Sequence, residues 1–312
     1  MDAVCGNLWG IILSGGEGTR LRRFIRSTYG LVLPKQYCPL VGHRSMLRHT
    51  LDRLKSLVPA RRILTIINRT HQAYATAQLS DQPSETILAQ PCGRETGIGI
   101  LLPLLHIYRQ DSEAVVAVFP SDHFVWEEER FMGYVKRCTE FVSTRPDSIA
   151  LMGIPPTHYE REYGWIERAN PIPNPWDLSI HEIKRFWEKP DDAMAKKLFQ
   201  QGCLWNTFVM VGTAAAFLSK FREVVPDAVD QLNTILQVPN AAERERLLNL
   251  VYPLLPTLNF SKEVLEQNPG RLSVMEVRDV YWSDWGSERR VLRDIERLNL
   301  KLRTHHPLRG VA

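Results

Sequence analysis

A short apolar run that breaks into glycines constrains this chain more than any other feature. Leu8-Trp9-Gly10-Ile11-Ile12-Leu13 leads into Ser14-Gly15-Gly16-Glu17-Gly18-Thr19-Arg20, and the stretch closes on Pro34-Lys35-Gln36. An apolar run of that length, bounded by glycines, has the pattern of a fully buried strand. The glycines permit positive φ and let backbone N–H groups approach a ligand with no Cβ in the way. Such a loop suits a phosphate. Arg20 and Lys35 add a planar fork and a point charge that hold a polyphosphate from two sides. The glycines alone divide evenly between an ordinary strand-to-helix turn and a phosphate cradle. The loop lacks the ending of a Walker A motif, and Leu21 stands where the last glycine of a dinucleotide fingerprint belongs. The two cations shift the balance toward phosphate.

A length of 312 residues suggests about two domains, although α/β folds often reach it as one unit. Hydrophobic content of 44% with 24% charge suits a globular protein with a large core. A net charge of +4, with scattered basic residues, gives no argument for nucleic acid. Cys5, Cys38, Cys92, Cys138 and Cys203 are odd in number and lack C-x-x-C spacing, so reduced thiols are expected rather than a disulfide framework or a zinc knuckle. The sequence has no basic n-region before a long apolar stretch and no run of eighteen apolar residues. A soluble, cytoplasmic protein with no membrane partner is the expectation.

Along the chain, short apolar strands alternate with helices. Strands are predicted at 63–67, 86–89, 114–119 and 148–153, with helices at 44–55, 71–79, 96–108 and 127–143. This alternation predicts a parallel sheet with helices on both faces. The texture changes after Pro155. A strand at 163–167, a Pro-rich loop at 171–175 and a strand at 180–187 come next, then a helix capped by Asp191 and a strand at 204–211. Helical segments run through Leu250, followed by a strand at 272–277, a loop at 281–287 and a charged helix at 288–300. Residues 301–312 read as a tail, and His305 and His306 within it as solvated.

Asp122 and Asp284 each fall in a polar loop after a strand-like run, and ligands bind beyond the carboxyl ends of strands in open α/β sheets. Two carboxylates near phosphate oxygens make a hard site suited to Mg2+. Glu188, Lys189 and Asn206 supply an acceptor, a cation and an amide for a sugar and its phosphate, and Gly164 lets the backbone approach a hydroxyl. His123, following Asp122, is expected to orient a loop through hydrogen bonds. The tryptophans and the thiols of Cys38 and Cys92 are expected to pack in the interior.

Gly15-Gly16-Glu17-Gly18-Thr19-Arg20-Leu21, Pro34-Lys35-Gln36, Pro120-Ser121-Asp122-His123, Tyr163-Gly164, Glu188-Lys189-Pro190, Trp205-Asn206 and Ser283-Asp284-Trp285-Gly286-Ser287 together resemble the sugar-1-phosphate nucleotidyltransferases. Within them the chain is most similar to mannose-1-phosphate guanylyltransferases. The motifs keep the family's order and span nearly the whole chain.

The resemblance implies a single Rossmann-like, GT-A-like α/β domain over residues 1–300, with a mostly parallel twisted sheet and no appended β-helix. Residues 8–153 would mainly bind nucleotide, and 155–287 would bind sugar and supply the second metal carboxylate. It implies roles for Arg20, Lys35 and Asp122 in catalysis, and for Leu13, Ser14, Gly15, Gly16, Gly18, Thr19, Gln90, Arg94, Thr96 and Asp122 in nucleotide binding. Gly164, Glu188, Lys189 and Asn206 would bind the sugar phosphate, and Asp122 and Asp284 a Mg2+ cofactor. The partners implied are GTP and mannose-1-phosphate, with a homodimer as the family's common habit.

Arg22-Arg23 replaces the family's usual Trp-Pro, and Arg94-Glu95-Thr96-Gly97 stands where guanylyltransferases commonly have Arg-Asn-Thr-Ala. The second departure keeps another base or hexose open. A catalytically silent nucleotide-sugar binder is the third reading, and the presence of Arg20, Lys35, Asp122 and Asp284 argues against it.

Overall fold

The computed structural model describes residues 6–30 and 32–300. Cys5, His305, His306 and the tail from 301 lie outside the described residues. Strands β1 (Leu8–Ser14), β2 (Ile63–Asn68), β3 (Ile87–Gln90) and β4 (Val115–Pro120) come first, and β5 (Phe124–Val125) is a short ribbon strand. Then follow β6 (Ile149–Ile154), β7 (Gly164–Pro171), β8 (Ile180–Glu188), β9 (Leu204–Thr213), β10 (Leu272–Glu276) and β11 (Trp282–Ser283). The helices are α1 (Arg22–Tyr29), α2 (Met46–Lys55), α3 (Gln72–Gln78), α4 (Glu95–Gln110) and α5 (Glu128–Thr144). In the second half they are α6 (Asp192–Gln200), α7 (Ala214–Val224), α8 (Pro226–Gln237), α9 (Ala241–Val251) and α10 (Glu288–Arg297).

Period-two alternation explains how the central strands serve two cores at once. Leu8 and Ile12 of β1, with Val115, Ala117 and Phe119 of β4, face the side covered by α2 and α5. Trp9 and Ile11, with Val116 and Val118, face the side covered by α4 and α7. A third cluster joins Phe24 and Ile25 of α1 to Val291 and Ile295 of α10 around the buried Trp285.

The nine-stranded sheet runs β3-β2-β1-β4-β9-β6-β10-β8-β7. Pairing is parallel from β3 through β4 and again between β6 and β10. β9 and β8 oppose every neighbour they have. The expectation of a mostly parallel sheet therefore holds from β3 through β4 but not for the sheet as a whole, where β6 and β10 make the remaining parallel pair and the other pairings are antiparallel. Parallel neighbours need crossover connections, whereas β7 and β8 join through a short Pro-rich loop that makes them a hairpin. Asn174 ties that loop: its Nδ2 donates to the carbonyls of Ile172 and Leu178, and its Oδ1 accepts from the Trp176 and Leu178 amides. β7 also pairs with β9, at Trp165↔Trp205 and Ile166↔Leu204, so β9-β6-β10-β8-β7 closes into a five-stranded barrel.

The segment expected as a loop at 281–287 contains β11, which pairs with β5 to form a two-stranded ribbon. Asp122 precedes this ribbon on one strand and Asp284 follows it on the other, which brings together residues far apart in sequence.

Candidate functional site

The glycine loop leaves the end of β1 and is held open by its neighbours. Gln36 donates through Nε2 to the carbonyls of Ser14 (3.0 Å) and Gly16 (2.7 Å). Gly18 adopts φ of +58°, and a Cβ there would lie 2.8 Å from the Lys35 amide nitrogen, so glycine is required on both counts. At Gly15 a Cβ would strike the Gln90 carboxamide at 2.4 Å. That amide is fixed by Tyr252, whose hydroxyl donates to Gln90 Oε1 at 2.8 Å.

Beside the loop, Ser121 at the end of β4 donates to Leu13 O through its amide (3.1 Å) and its hydroxyl (2.6 Å). This turn sends Asp122 over the cavity, where its Oδ2 meets the Lys35 ammonium at 2.9 Å. Lys35 is only 4% exposed and also donates to the backbone oxygens of Asp284 (2.5 Å) and Trp285 (3.3 Å). One buried cation thus joins the two strands that carry the acids. Burial works to raise the Asp122 carboxyl, but Lys35, with His123 and Arg20 beyond it, outweighs burial and holds it below the ordinary range. His123 donates through Nδ1 to the Thr207 carbonyl (3.1 Å), and burial depresses its imidazole.

Asp284 is anchored through Oδ1, which accepts from the Gly286 amide at 2.8 Å and lies 3.2 Å from Arg290 Nη1. Its Oδ2 has Arg20 Nη2 at 3.9 Å. Arg20 in turn donates through Nη1 to Glu162 Oε2 at 2.9 Å, and the buried Arg290 donates to the same oxygen at 2.8 Å.

A cavity of about 610 Å³ lies between these groups. Leu13, Gly15, Gly16, Gly18, Arg20, Gln90, Thr96, Asp122 and Asp284 line it, together with Gly164, Glu188, Lys189 and Asn206. Gly164 pairs with Glu188 across β7 and β8. Burial pushes the Glu188 carboxyl up, and Lys189, with Nζ 3.5 Å from Glu188 Oε1, works against it. Lys189 itself sits at φ of +47°, a left-handed conformation that is uncommon for non-glycine residues.

The remaining expected residues stand apart from the cavity wall. Ser14 is fully buried, with its hydroxyl 3.5 Å from that of Tyr37, and Thr19 lies exposed in the turn before α1. Arg94 caps α4 with its backbone, accepting from the Leu258 amide, while its neighbours Gly93 and Glu95 line the cavity in its place. The sequence reading assigned no role to Gln36, Tyr252, Glu162 or Arg290. Gln36 was legible as part of Pro-Lys-Gln, but the Glu162–Arg290 pair spans 128 positions and has no local signature.

For Mg2+, the donor chemistry fits. Asp122 Oδ1 lies 3.8 Å from His123 Nε2 and Asp284 Oδ2 lies 3.9 Å from Arg20, both beyond hydrogen-bonding distance. Among the described residues no group of three or more acidic, His or Cys side chains gathers for a metal. Mg2+ is commonly bound by one or two carboxylates and completed by substrate phosphates and water.

A glycine loop, the cations Arg20 and Lys189 and the acids Asp122 and Asp284 thus line one cavity. A family model described as nucleotidyl transferase matches residues 9–298, and the chain belongs to that family. It is 30% identical over 301 residues to the xanthan biosynthesis protein XanB of Xanthomonas campestris pv. campestris strain B100, an alignment covering 95% of this chain and 61% of XanB. It is 27% identical over 296 residues to mannose-1-phosphate guanylyltransferase 2 of Escherichia coli O157:H7, covering 89% and 58%. A crystal structure described as mannose-1-phosphate geranyltransferase from Thermus thermophilus superposes with a TM-score of 0.76 at 26% identity, over 92% of this chain and 79% of that one. The resemblance to sugar-1-phosphate nucleotidyltransferases is thereby borne out. The chain spans about three fifths of the length of these two curated relatives.

Proposed function

We propose that the protein transfers a nucleotidyl group from GTP to mannose-1-phosphate, forming GDP-mannose and pyrophosphate, with Mg2+ as cofactor. The observation that carries the reading is Lys35, whose single buried ammonium holds Asp122 and the Asp284 backbone together at the mouth of the glycine loop. In this reading an oxygen of the sugar phosphate attacks the α-phosphorus and pyrophosphate leaves. The nucleophile is already an anion, so no general base is needed, and the protein contributes alignment and charge stabilisation. Gly15, Gly16 and Gly18 seat the triphosphate, and Arg20 and Lys35 face the charge that builds on it. Gly164, Glu188 and Asn206 hold the hexose, with Lys189 on its phosphate. Asp122 and Asp284 would hold the Mg2+, which when bound screens the triphosphate and the developing charge.

Guanine and mannose rest on the relatives named for mannose-1-phosphate guanylyl transfer. A different base is the second reading, favoured by Glu95, which lines the cavity at φ of +62° where the related enzymes commonly carry Asn.

A panel of nucleoside triphosphates crossed with hexose-1-phosphates, assayed for pyrophosphate with and without EDTA, tests the proposal. GTP with mannose-1-phosphate should react fastest, EDTA should abolish release and added Mg2+ should restore it. Preference for another pair replaces the substrates and keeps the class, whereas no release from any pair overturns the transferase reading.

A further inference from the structure

Within the proposed phosphate site, one carboxylate has no place in the reaction. Glu162 stands on the turn before β7, lines the cavity and accepts from two guanidinium groups through one oxygen, Arg20 at 2.9 Å and Arg290 at 2.8 Å. The two arginines differ in kind. Arg290 is 4% exposed, stacks over the Tyr163 ring at 4.9 Å and has Asp284 and Glu160 at 3.2 and 3.7 Å, so it is fixed. Arg20 has a side chain 54% exposed, and its acidic partners are Glu162 and the more distant Asp284. Its fork is therefore directed at the chain's own acids in the position from which it would grip a phosphate.

Charge sharpens the point. Arg20 and Lys189 line the cavity together with Glu17, Glu95, Asp122, Glu162, Glu188 and Asp284, so acids outnumber these two cations in a pocket proposed to take a polyanion. A carboxylate oxygen and a phosphate oxygen compete for the same guanidinium N–H groups, since both are recognised by the planar fork.

We infer that Glu162 is an internal stand-in for a phosphate oxygen: it holds Arg20 over the site and yields it to the incoming triphosphate while remaining bound to Arg290. Glu162 is thus a positioning residue that raises the threshold for nucleotide binding and acts through Arg20. The inference rests on the proposed function in one respect, that the cavity takes a triphosphate.

Inorganic tripolyphosphate with Mg2+, measured by calorimetry, is a probe that needs neither base nor hexose. Glu162→Gln should bind it about fivefold more tightly than the unaltered chain, as expected for releasing one partly exposed charge pair. In an Arg20→Ala background the same substitution should change affinity less than about twofold, because the competition runs through Arg20. A gain that persists without Arg20 makes Glu162 a simple repulsive charge and overturns the inference. So does unchanged or weaker binding by Glu162→Gln, which would make the carboxylate an aid to binding. Glu162→Asp, which keeps the charge, checks folding and should bind within about twofold of the unaltered chain; a gain equal to that of the Gln variant counts against the idea. If the unaltered chain and Glu162→Gln both fail to bind tripolyphosphate, the proposed function falls as well, which separates the two failures.

Discussion

At the scale of single residues, the site depends on how few groups must do several things. Lys35 pairs with Asp122 and ties down the backbone that presents Asp284, both from within the protein. Arg20 is exposed by comparison and reaches the same region from the turn after the glycine loop. Removing one preorganised donor from a developing charge typically lowers the rate by about 100-fold or more. Arg20→Ala should therefore lose at least about a hundredfold in kcat/KM while its thermal melt stays near that of the unaltered chain. Asp122→Asn should lose as much and also leave the Lys35 ammonium without its carboxylate partner. Pyrophosphate release alongside a melting curve tests both, and normal turnover by either variant removes that residue from the mechanism. These residues were legible in the sequence because each belongs to a contiguous motif: the glycine loop for Arg20, Pro-Lys-Gln for Lys35 and Pro-Ser-Asp-His for Asp122. Glu162 and Arg290 were not, since an acid before a strand and a base on a charged helix each look like ordinary solvated surface until the fold pairs them.

At the scale of elements, α4 links the cavity, which Glu95, Thr96 and Gly99 line, to the outer helices. Its first turn is pinned from outside: the Gly97 amide donates to the Leu258 carbonyl at 2.7 Å, and the Thr96 hydroxyl accepts from the Phe260 amide at 3.0 Å. A Cβ at position 97 would come within 2.8 Å of that carbonyl, which accounts for glycine where related enzymes commonly have alanine. Near the other end of α4, His106 is held neutral. Burial is the larger cause and the guanidinium groups of Arg244 and Arg109 add to it, taking its pKa from 6.5 to about 4. The unfolded chain then binds a proton near pH 6.5 that the folded chain refuses until about pH 4, so stability falls as pH drops through that window. His106→Gln should flatten this part of the curve. Between about pH 7.5 and 5 it should lose about 1 to 2 kcal/mol less than the unaltered chain, read from denaturant melts at the two pH values. Equal losses would show that His106 titrates normally in the folded protein.

For the whole molecule, the decisive feature is that a parallel half and a barrel share one strand. β9 pairs with β4, at whose end Asp122 lies, and with β6 and β7 of the barrel, and it carries Asn206 itself. The alternation of strands and helices made the first half legible, because successive strands from β1 to β4 are joined by helices whose apolar faces show in the sequence. Closure of the barrel was not legible: it rests on the Trp165↔Trp205 and Ile166↔Leu204 contacts between strands that each read as an independent apolar run. The first of these contacts underlies the proposed sugar end, since Gly164 and Asn206, which line the cavity, flank it in sequence. Trp165 is fully buried, its ring centroid lies 6.1 Å from that of Trp205, and its indole N–H donates to the Glu160 carbonyl at 2.8 Å. Replacing a buried tryptophan by alanine costs about 3 to 5 kcal/mol, within the total stability of a typical domain, so Trp165→Ala should still fold at low temperature. Its damage should be confined to one end of the cavity, because the glycine loop, Lys35 and Asp122 hang on β1 and β4. Steady-state kinetics at reduced temperature should show KM for the sugar phosphate rising about tenfold with KM for the nucleotide within about twofold, equivalent to about 1.4 kcal/mol lost from one substrate alone. A matched rise in both constants would mean that the two ends of the cavity are one mechanical unit and that the barrel does not hold the sugar end separately.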